Sequence, residues 1–159
     1  MKHFQDFPGA QFGHFIWLEE QRSSAYEEPF NDAIIFINSK YRSDRPMRRL
    51  VGAKELMHVF DGPDQRTNTE EKFKDLLLEI ESNPVSADFS DQYAADRFAL
   101  WKATIALVPP WIRDEFKAAW DSGDVKAPEI ATRLWLPESA VIAAMGPYYD
   151  RVMARLLPQ

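Results

Sequence analysis

A lysine, a glutamate and a histidine stand together in AKELMH, residues 53–58, in a pattern related to metal-dependent hydrolysis. On a helix, Lys54 and His58 would lie on one face about one turn apart, with Glu55 beside that face. With histidine first, the pattern would be His-Glu-x-x-His, in which both imidazoles bind zinc and the glutamate takes a proton from the metal-bound water. Because lysine stands first here, the stretch could be a metal site, the remains of one, or a chance match.

The segments around this stretch predict a strand and a helix that position it. The β-branched apolar run NDAIIFINSKY (31–41) predicts a buried strand, and RSDRP after it predicts a turn. Pro46 suits a helix start, and the apolar spacing predicts a helix from about Met47 to Phe60, ended by DGPD (61–64). The three residues therefore lie within one helix that follows a buried strand.

Helices dominate the rest of the predicted chain. Apolar spacing predicts helices over 68–82, 91–108, 111–123, 127–146 with a turn at Leu136–Pro137, and 147–158. Gly123 is placed to cap the third of these, and HFIWLEEQ near the N-terminus could be a short helix or strand. We predict an α+β domain, mostly helical, with an N-terminal segment (1–30), a core (31–110) and a helical extension (111–159).

Composition narrows the class of protein. With 45% hydrophobic and 13% aromatic residues, the chain has the composition of a folded domain. The lack of cysteine excludes disulfides and thiolate–zinc sites, and no apolar run reaches the ~20 residues of a membrane span. The N-terminus also lacks the apolar stretch of a signal peptide, so we expect a cytoplasmic protein without a membrane partner.

The charge of the chain argues against general nucleic-acid binding. The net charge is −6, whereas phosphate contacts need a basic face. One cluster is locally basic and is either a solvated loop and helix start or an anion-binding patch: Lys40, Arg42, Arg45, Arg48, Arg49 and Lys54. DNA binding through the helix-turn-helix-like segment 129–145 is also disfavoured, because its second helix, PESAVIAAMG, carries no Arg or Lys.

Three segments resemble the ImmA/IrrE-like metallopeptidase family. AIIFINSKYRSDRPMRRLVGAKELMHVFD is similar to its I-x-I-N strand and R-x-x-x-A-H-E-L-x-H helix. QYAADRFALWKATIALVPPW is similar to its second signature, E-x-x-A-N-x-F-A with a leucine-rich stretch, and EIATRLWLPESAVIAAM to its helix-turn-helix-like tail. The resemblance covers residues 31–145 in order, and it implies a zincin-like domain with a small sheet and a helical C-terminal extension.

The metal-ligand positions implied by this resemblance are degenerate. Lys54 replaces the first histidine and, as a cation, offers zinc no lone pair. The third ligand falls on Gln92, a poor zinc ligand, with Asp91 one residue before it. We therefore predict no metal or other cofactor, with His58 the remaining ligand if any is bound. The Lys54 ammonium should occupy the space of the metal and hydrogen-bond to Gln92, Asp91 or Glu55.

Two functional hypotheses follow from the resemblance. Relatives are typically encoded in phages and mobile elements, where they cleave repressors. The first hypothesis is a non-catalytic relative that binds a protein such as a transcriptional regulator, through a cleft rim that includes Asn38, Arg45, Arg48 and Arg49. The second is a zinc peptidase with Glu55 as general base and His58 as one ligand, joined by residues from a set of polar candidates: Asp61, Asp64, Asp91 and Gln92.

The remaining histidines and the tryptophans are interpreted as structural. His3 and His14 belong to no motif that would pair them with other ligands. Four tryptophans stand at helix positions that suit core packing: Trp101, Trp111, Trp120 and Trp135.

Overall fold

A computed structural model of the chain describes residues 2–7, 12–17, 33–61 and 91–156. The strands in these ranges are β1 (Lys2–Gln5), β2 (Gly13–Trp17) and β3 (Ala33–Asn38). The α-helices are α1 (Arg45–Met57), α2 (Asp91–Leu107), α3 (Pro110–Ser122), α4 (Ala127–Leu134), α5 (Glu138–Met145) and α6 (Tyr149–Leu156). Single 3-10 turns, Ser39–Tyr41 and His58–Phe60, stand before and after α1. The described chain is thus α+β and mostly helical, as predicted.

The three strands form one sheet with β3 in the middle. β1 runs parallel to β3, with Phe4 opposite Ile37, and β2 runs antiparallel to it, with Phe15 opposite Ile35. The predicted strand at 31–41 is confirmed over 33–38, and HFIWLEEQ contributes the strand β2 rather than a helix. Sequence reasoning missed β1, because KHFQ is too short and polar to show a strand pattern.

Helix α1 covers one face of this sheet. Asp44 caps its start by accepting a hydrogen bond from the Met47 amide at 2.9 Å. The buried face holds apolar and charged residues together: Leu50, Val51, Gly52, Lys54 and Glu55. Val51 packs with sheet residues in a small core of Phe15, Ile35, Ile37 and Val51. The buried face of this helix was predicted to extend to Phe60, but it ends earlier, since Phe60 is 72% exposed.

Helices α3 to α6 enclose a second apolar core, together with the end of α2. Its buried members come from four helices and the turns between them, and they include Val108, Phe116, Ile130, Leu136, Val141 and Tyr149. The Tyr149 hydroxyl donates to the Val108 carbonyl at 2.7 Å, which satisfies its polar end inside the core. α2 packs against α1 on one side and against α5 and α6 on the other, so it joins the two cores.

The predicted helices of the C-terminal part are confirmed to within about two residues at each end. Gly123 caps α3 at φ 80°, and the 127–146 segment turns at residues 135–137 as expected. The assignment of all four tryptophans to the core is wrong for Trp111 and Trp135, which are 69% and 51% exposed. The helix predicted over 68–82 lies outside the described residues, and no described helix is long and apolar enough to cross a bilayer.

The close approach of β2 to α1 predicts the effect of a side chain at Gly13. A Cβ there would lie 2.7 Å from Val51 Cγ1, 2.8 Å from the Phe36 carbonyl oxygen and 3.0 Å from Glu55 Oε1. We expect Gly13→Ala to lower the free energy of unfolding by about 2 kcal/mol, because overpacking forces strand and helix apart. Gly123→Asn is the control. No atom lies within 4 Å of its Cβ position and asparagine tolerates the left-handed conformation, so urea unfolding should show a much smaller loss.

Candidate functional site

Helices α1 and α2 hold a buried lysine between two carboxylates. The Lys54 ammonium lies 3.0 Å from Glu55 Oε1 and forms a closer ion pair with Asp96 Oδ1. The side chains of Lys54 and Glu55 are 10% and 2% exposed, whereas that of Asp96 is 37% exposed. The ammonium therefore binds carboxylates from both helices in an environment that largely excludes water.

His58 extends this pair into a network of alternating charge. Its Nε2 atom lies 3.5 Å from Asp96 Oδ1, and its Nδ1 atom lies 2.5 Å from Asp61 Oδ2. Asp61 in turn has its Oδ1 atom 3.8 Å from Lys102 Nζ on α2. Cations and carboxylates thus alternate from Lys54 through Asp96, His58 and Asp61 to Lys102.

The network changes the proton affinity of Lys54, His58 and Asp96. Burial alone would lower the pKa of Lys54, but Glu55 and Asp96 outweigh it and hold that pKa above its ordinary value. Burial would likewise lower the pKa of His58, but hydrogen bonds to Asp61 and Asp96 raise it to about 9. The pKa of Asp96 moves below its usual range, because Lys54 and His58 outweigh the opposing effect of burial. At neutral pH, His58 is therefore an imidazolium cation that donates from both nitrogens.

His14 on β2 lies within the electrostatic reach of this network. Burial and then the positive charges of Lys54 and His58 lower its pKa to about 4, so its imidazole is neutral at neutral pH. Its neighbour Phe15 places its ring 6.4 Å from the His58 ring, centroid to centroid. His14 thus belongs to the surroundings of the site, which sequence reasoning had not recognised because no spacing rule relates β2 to α1.

The structure places the sequence-predicted site residues at different distances from this centre. Lys54 does bond to Glu55, one of its three expected acceptors. Asp91 and Gln92 begin α2, but their side chains lie outside the described residues, as does all of Asp64. The carboxylate on α2 that reaches Lys54 belongs to Asp96, which sequence reasoning missed. The signal was present, because Asp96 follows Gln92 by four residues and so shares its helix face.

The rim residues predicted from sequence mostly make contacts within the fold. The Asn38 side chain is buried and accepts a hydrogen bond from the Lys40 amide at 3.1 Å. Arg45 stacks on Trp135 at 4.3 Å, and the Arg49 guanidinium donates to the Leu134 carbonyl. These two arginines thus tie the start of α1 to the turn between α4 and α5.

Arg48 is the predicted rim arginine with the loosest contact. Its guanidinium lies 5.9 Å from the centre of the Phe4 ring, beside Arg42 at 5.3 Å from the same ring. A cation–π contact at this distance contributes little at an exposed position. Arg48 is therefore the residue of this rim at which a charge change disturbs the fold least.

A zinc ion does not fit the site in this arrangement. Among the described residues, no three imidazole or carboxylate groups converge as metal ligands. The Lys54 ammonium stands between the carboxylates that a cation would need, and a protonated His58 has no lone pair to offer. In this arrangement the carboxylates therefore bind the Lys54 ammonium, a cation of the chain itself, rather than a metal ion.

Comparisons with known proteins add no family to this picture. No protein-family model matches the chain, and neither the curated proteins nor the solved structures contain a match. The resemblance to ImmA/IrrE-like peptidases rests on the three sequence segments quoted above and enters below as a proposal.

Removing the Lys54 charge should destabilise the fold strongly. We expect Lys54→Met to cost about 3 kcal/mol of unfolding free energy, because it leaves the buried Glu55 carboxylate without its closest cation. The partial exposure of Asp96 keeps the cost near this value rather than higher. Adding Glu55→Gln and Asp96→Asn to Lys54→Met should restore part of the loss. Lys126→Met, at an exposed position, is the matched control and should change stability by less than about 0.5 kcal/mol in the same denaturation assay.

The two shifted histidines predict opposite limbs of a stability–pH profile. His58 has a folded pKa of about 9 against an ordinary 6.5, so its contribution is complete below pH 6.5 and is lost as pH rises toward 9. His14 has a folded pKa of about 4, so stability is lost as pH falls from 6.5 toward 4. The alkaline loss should be on the order of 3 kcal/mol. In thermal unfolding followed by circular dichroism, His58→Gln should remove the alkaline limb and, because the His58 charge also lowers the pKa of His14, make the acid limb smaller. His14→Gln should remove the acid limb alone. Unchanged limbs in both variants would contradict this assignment.

Proposed function

We propose that the chain is a non-catalytic relative of the ImmA/IrrE-like peptidases, with a zincin-like fold, that binds a protein such as a transcriptional regulator. One observation carries the proposal. The Lys54 ammonium is held between Glu55 and Asp96, at the place where the resemblance would put the catalytic metal. A small sheet followed along the chain by α1 and further helices is compatible with that resemblance and supports the proposal.

The surroundings of Glu55 do not suit it for the role of general base. A general base must accept a proton from a water molecule within hydrogen-bond reach. Glu55 is 2% exposed, and its Oε1 atom accepts a hydrogen bond from the Lys54 ammonium. Its Oε2 atom lies 3.9 Å from the protonated His58 ring. Because this carboxylate is buried and already accepts from Lys54, Glu55 is better placed to hold Lys54 than to reach a water molecule.

An exposed apolar patch next to the network supports a binding role. Leu56, Val59 and Phe60 are 48%, 39% and 72% exposed, at the end of the helix that carries Glu55 and His58. Apolar side chains grouped at the surface are a common feature of protein-binding sites. The patch lies beside buried charges that fix the helix end, so it is presented on a rigid support.

The alternative function is a zinc peptidase with an unusual ligand set. It is favoured by the closeness of two carboxylates to His58, whose Nε2 atom lies 3.9 Å from Glu55 Oε2 and 3.5 Å from Asp96 Oδ1. For this group to bind zinc, Lys54 would have to withdraw and His58 would have to lose a proton. The two functions therefore differ in metal content and in the fate of the bound protein.

Metal content and partner integrity test the proposal. Protein purified without chelator or nickel resin should contain far less than one zinc ion per chain by mass spectrometry. A protein captured by the chain from its native host should remain intact, and Glu55→Gln should leave capture unchanged once its folding has been checked by thermal melting. Stoichiometric zinc, or a captured protein that is cut by the wild type and intact with Glu55→Gln, would establish the peptidase instead.

The exposed patch can be tested in the same capture assay. Phe60→Ser should reduce capture of the partner by about tenfold, because an exposed aromatic anchor often dominates an interface. Trp111→Ser is the matched control, since Trp111 is similarly exposed but lies on α3, away from the network. Charge reversal at Arg48 then tests the predicted rim. Equal capture by wild type, Phe60→Ser and Arg48→Glu would show that the partner binds elsewhere.

A further inference from the structure

A cavity of about 220 Å³ opens next to the charged network, between α2 and α6. Its lining combines charged groups with an apolar surface: Asp61, Ala95, Phe98, Lys102, Arg155 and Leu156. Neither the sequence motifs nor the proposed function uses Lys102, Arg155 or this space. The cavity shares Asp61 and Lys102 with the outer end of the network, whereas Arg155 and the apolar lining lie outside the network, so the function of the cavity is a separate question.

The lining carries more positive than negative charge. Among the lining residues that the structure describes, Asp61 is the one carboxylate, and that group is 2% exposed with its Oδ2 atom at His58 Nδ1. The distance of 3.8 Å from Asp61 Oδ1 to Lys102 Nζ is too long for a hydrogen bond. The Arg155 guanidinium stacks on the Phe98 ring at 5.1 Å and, among the residues described, makes no ion pair. Two cations thus face the cavity with donor capacity that the described chain does not fill.

The shape of the cavity narrows the class of ligand. A volume of about 220 Å³ is smaller than the ~300 Å³ lower limit of typical drug-sized pockets, which favours a ligand smaller than a nucleotide. Ala95, Phe98 and Leu156 supply an apolar surface beside the cations. An anion with a short aliphatic body can bury its methylene groups on that surface while it meets both cations. Inorganic phosphate has the charge but no apolar part.

We propose that this cavity binds a carboxylate on a short aliphatic body, with Arg155 and Lys102 as its donors. Arg155 can present two parallel N–H groups to the two carboxylate oxygens, and Lys102 adds a second charge from the neighbouring helix. The carboxylate could belong to a free small acid or to a peptide, as its C-terminus or an acidic side chain. The proposal does not depend on the proposed function, because the cavity keeps its charges whether or not the adjacent network is catalytic.

Titration with succinate at low ionic strength, followed by NMR chemical shifts of the full chain, tests the proposal. We expect saturable binding in the millimolar range, with the largest shifts at the lining residues of α2 and α6. Arg155→Gln and Lys102→Gln should each weaken binding about tenfold, the effect of losing one charge-assisted hydrogen bond. Arg151→Gln is the matched control, since Arg151 is exposed on the same helix but does not line the cavity.

Two peptides distinguish the sources of the carboxylate. Weaker binding of a C-terminal amide than of the same peptide with a free C-terminus indicates that the cavity binds a chain terminus. Binding that depends on an internal glutamate in the amidated peptide indicates that the cavity binds an acidic side chain. Tighter binding of either peptide than of succinate, with the same dependence on Arg155, supports the proposal and assigns a peptide ligand. Binding of succinate alone supports it and assigns a small acid. No saturable shift, equal weakening by Arg151→Gln, or displacement of succinate by equimolar inorganic phosphate would overturn it.

Discussion

The pairing of the Lys54 ammonium with two carboxylates is the interaction on which the rest of the site depends. An ammonium taken out of water costs several kcal/mol unless close anions compensate for the loss of hydration. One anion, Glu55, comes from the same helix, and the other, Asp96, comes from α2. α2 must therefore keep a fixed position against α1, and because α2 also packs on α5 and α6, this ion pair orients the helical part of the chain relative to the sheet.

The sheet imposes a second constraint on the same residues. β2 approaches α1 so closely at Gly13 that a methyl group would contact both Val51 and the Glu55 carboxylate. Glu55 is therefore confined between a strand on one side and Lys54 on the other. Such confinement explains why its carboxylate is buried at 2% exposure although it carries a charge. The site therefore holds a buried carboxylate in place by packing from the strand and by an internal ion pair.

The sequence predicted local features well, because they depend on neighbours along the chain. The β3 strand, the α1 helix and the Gly123 cap follow from apolar spacing, Pro46 and glycine conformational preference. Contacts between distant segments were harder to predict. Asp96 was missed because the resemblance places the third ligand at Gln92, and His14 because its closeness to the site arises only when β2 pairs with β3. Trp135 was expected in the core, but a left-handed turn at φ 54° directs it outward, where Arg45 stacks on it.

The energetics of the ion pair indicate what it contributes. Replacing a buried ion pair by apolar residues of similar volume is often neutral or stabilising. A gain in stability alone therefore does not explain why position 54 carries a charge. The charges instead favour one arrangement of the helices. The Lys54 ammonium donates only to acceptors at hydrogen-bond distance, whereas an apolar side chain would tolerate several packings. The network therefore fixes the orientation of the helix end at His58 and of the exposed residues Leu56 and Phe60 that follow from it. A surface held in one orientation loses little entropy on binding, which is the property that a protein-binding role requires of this helix end.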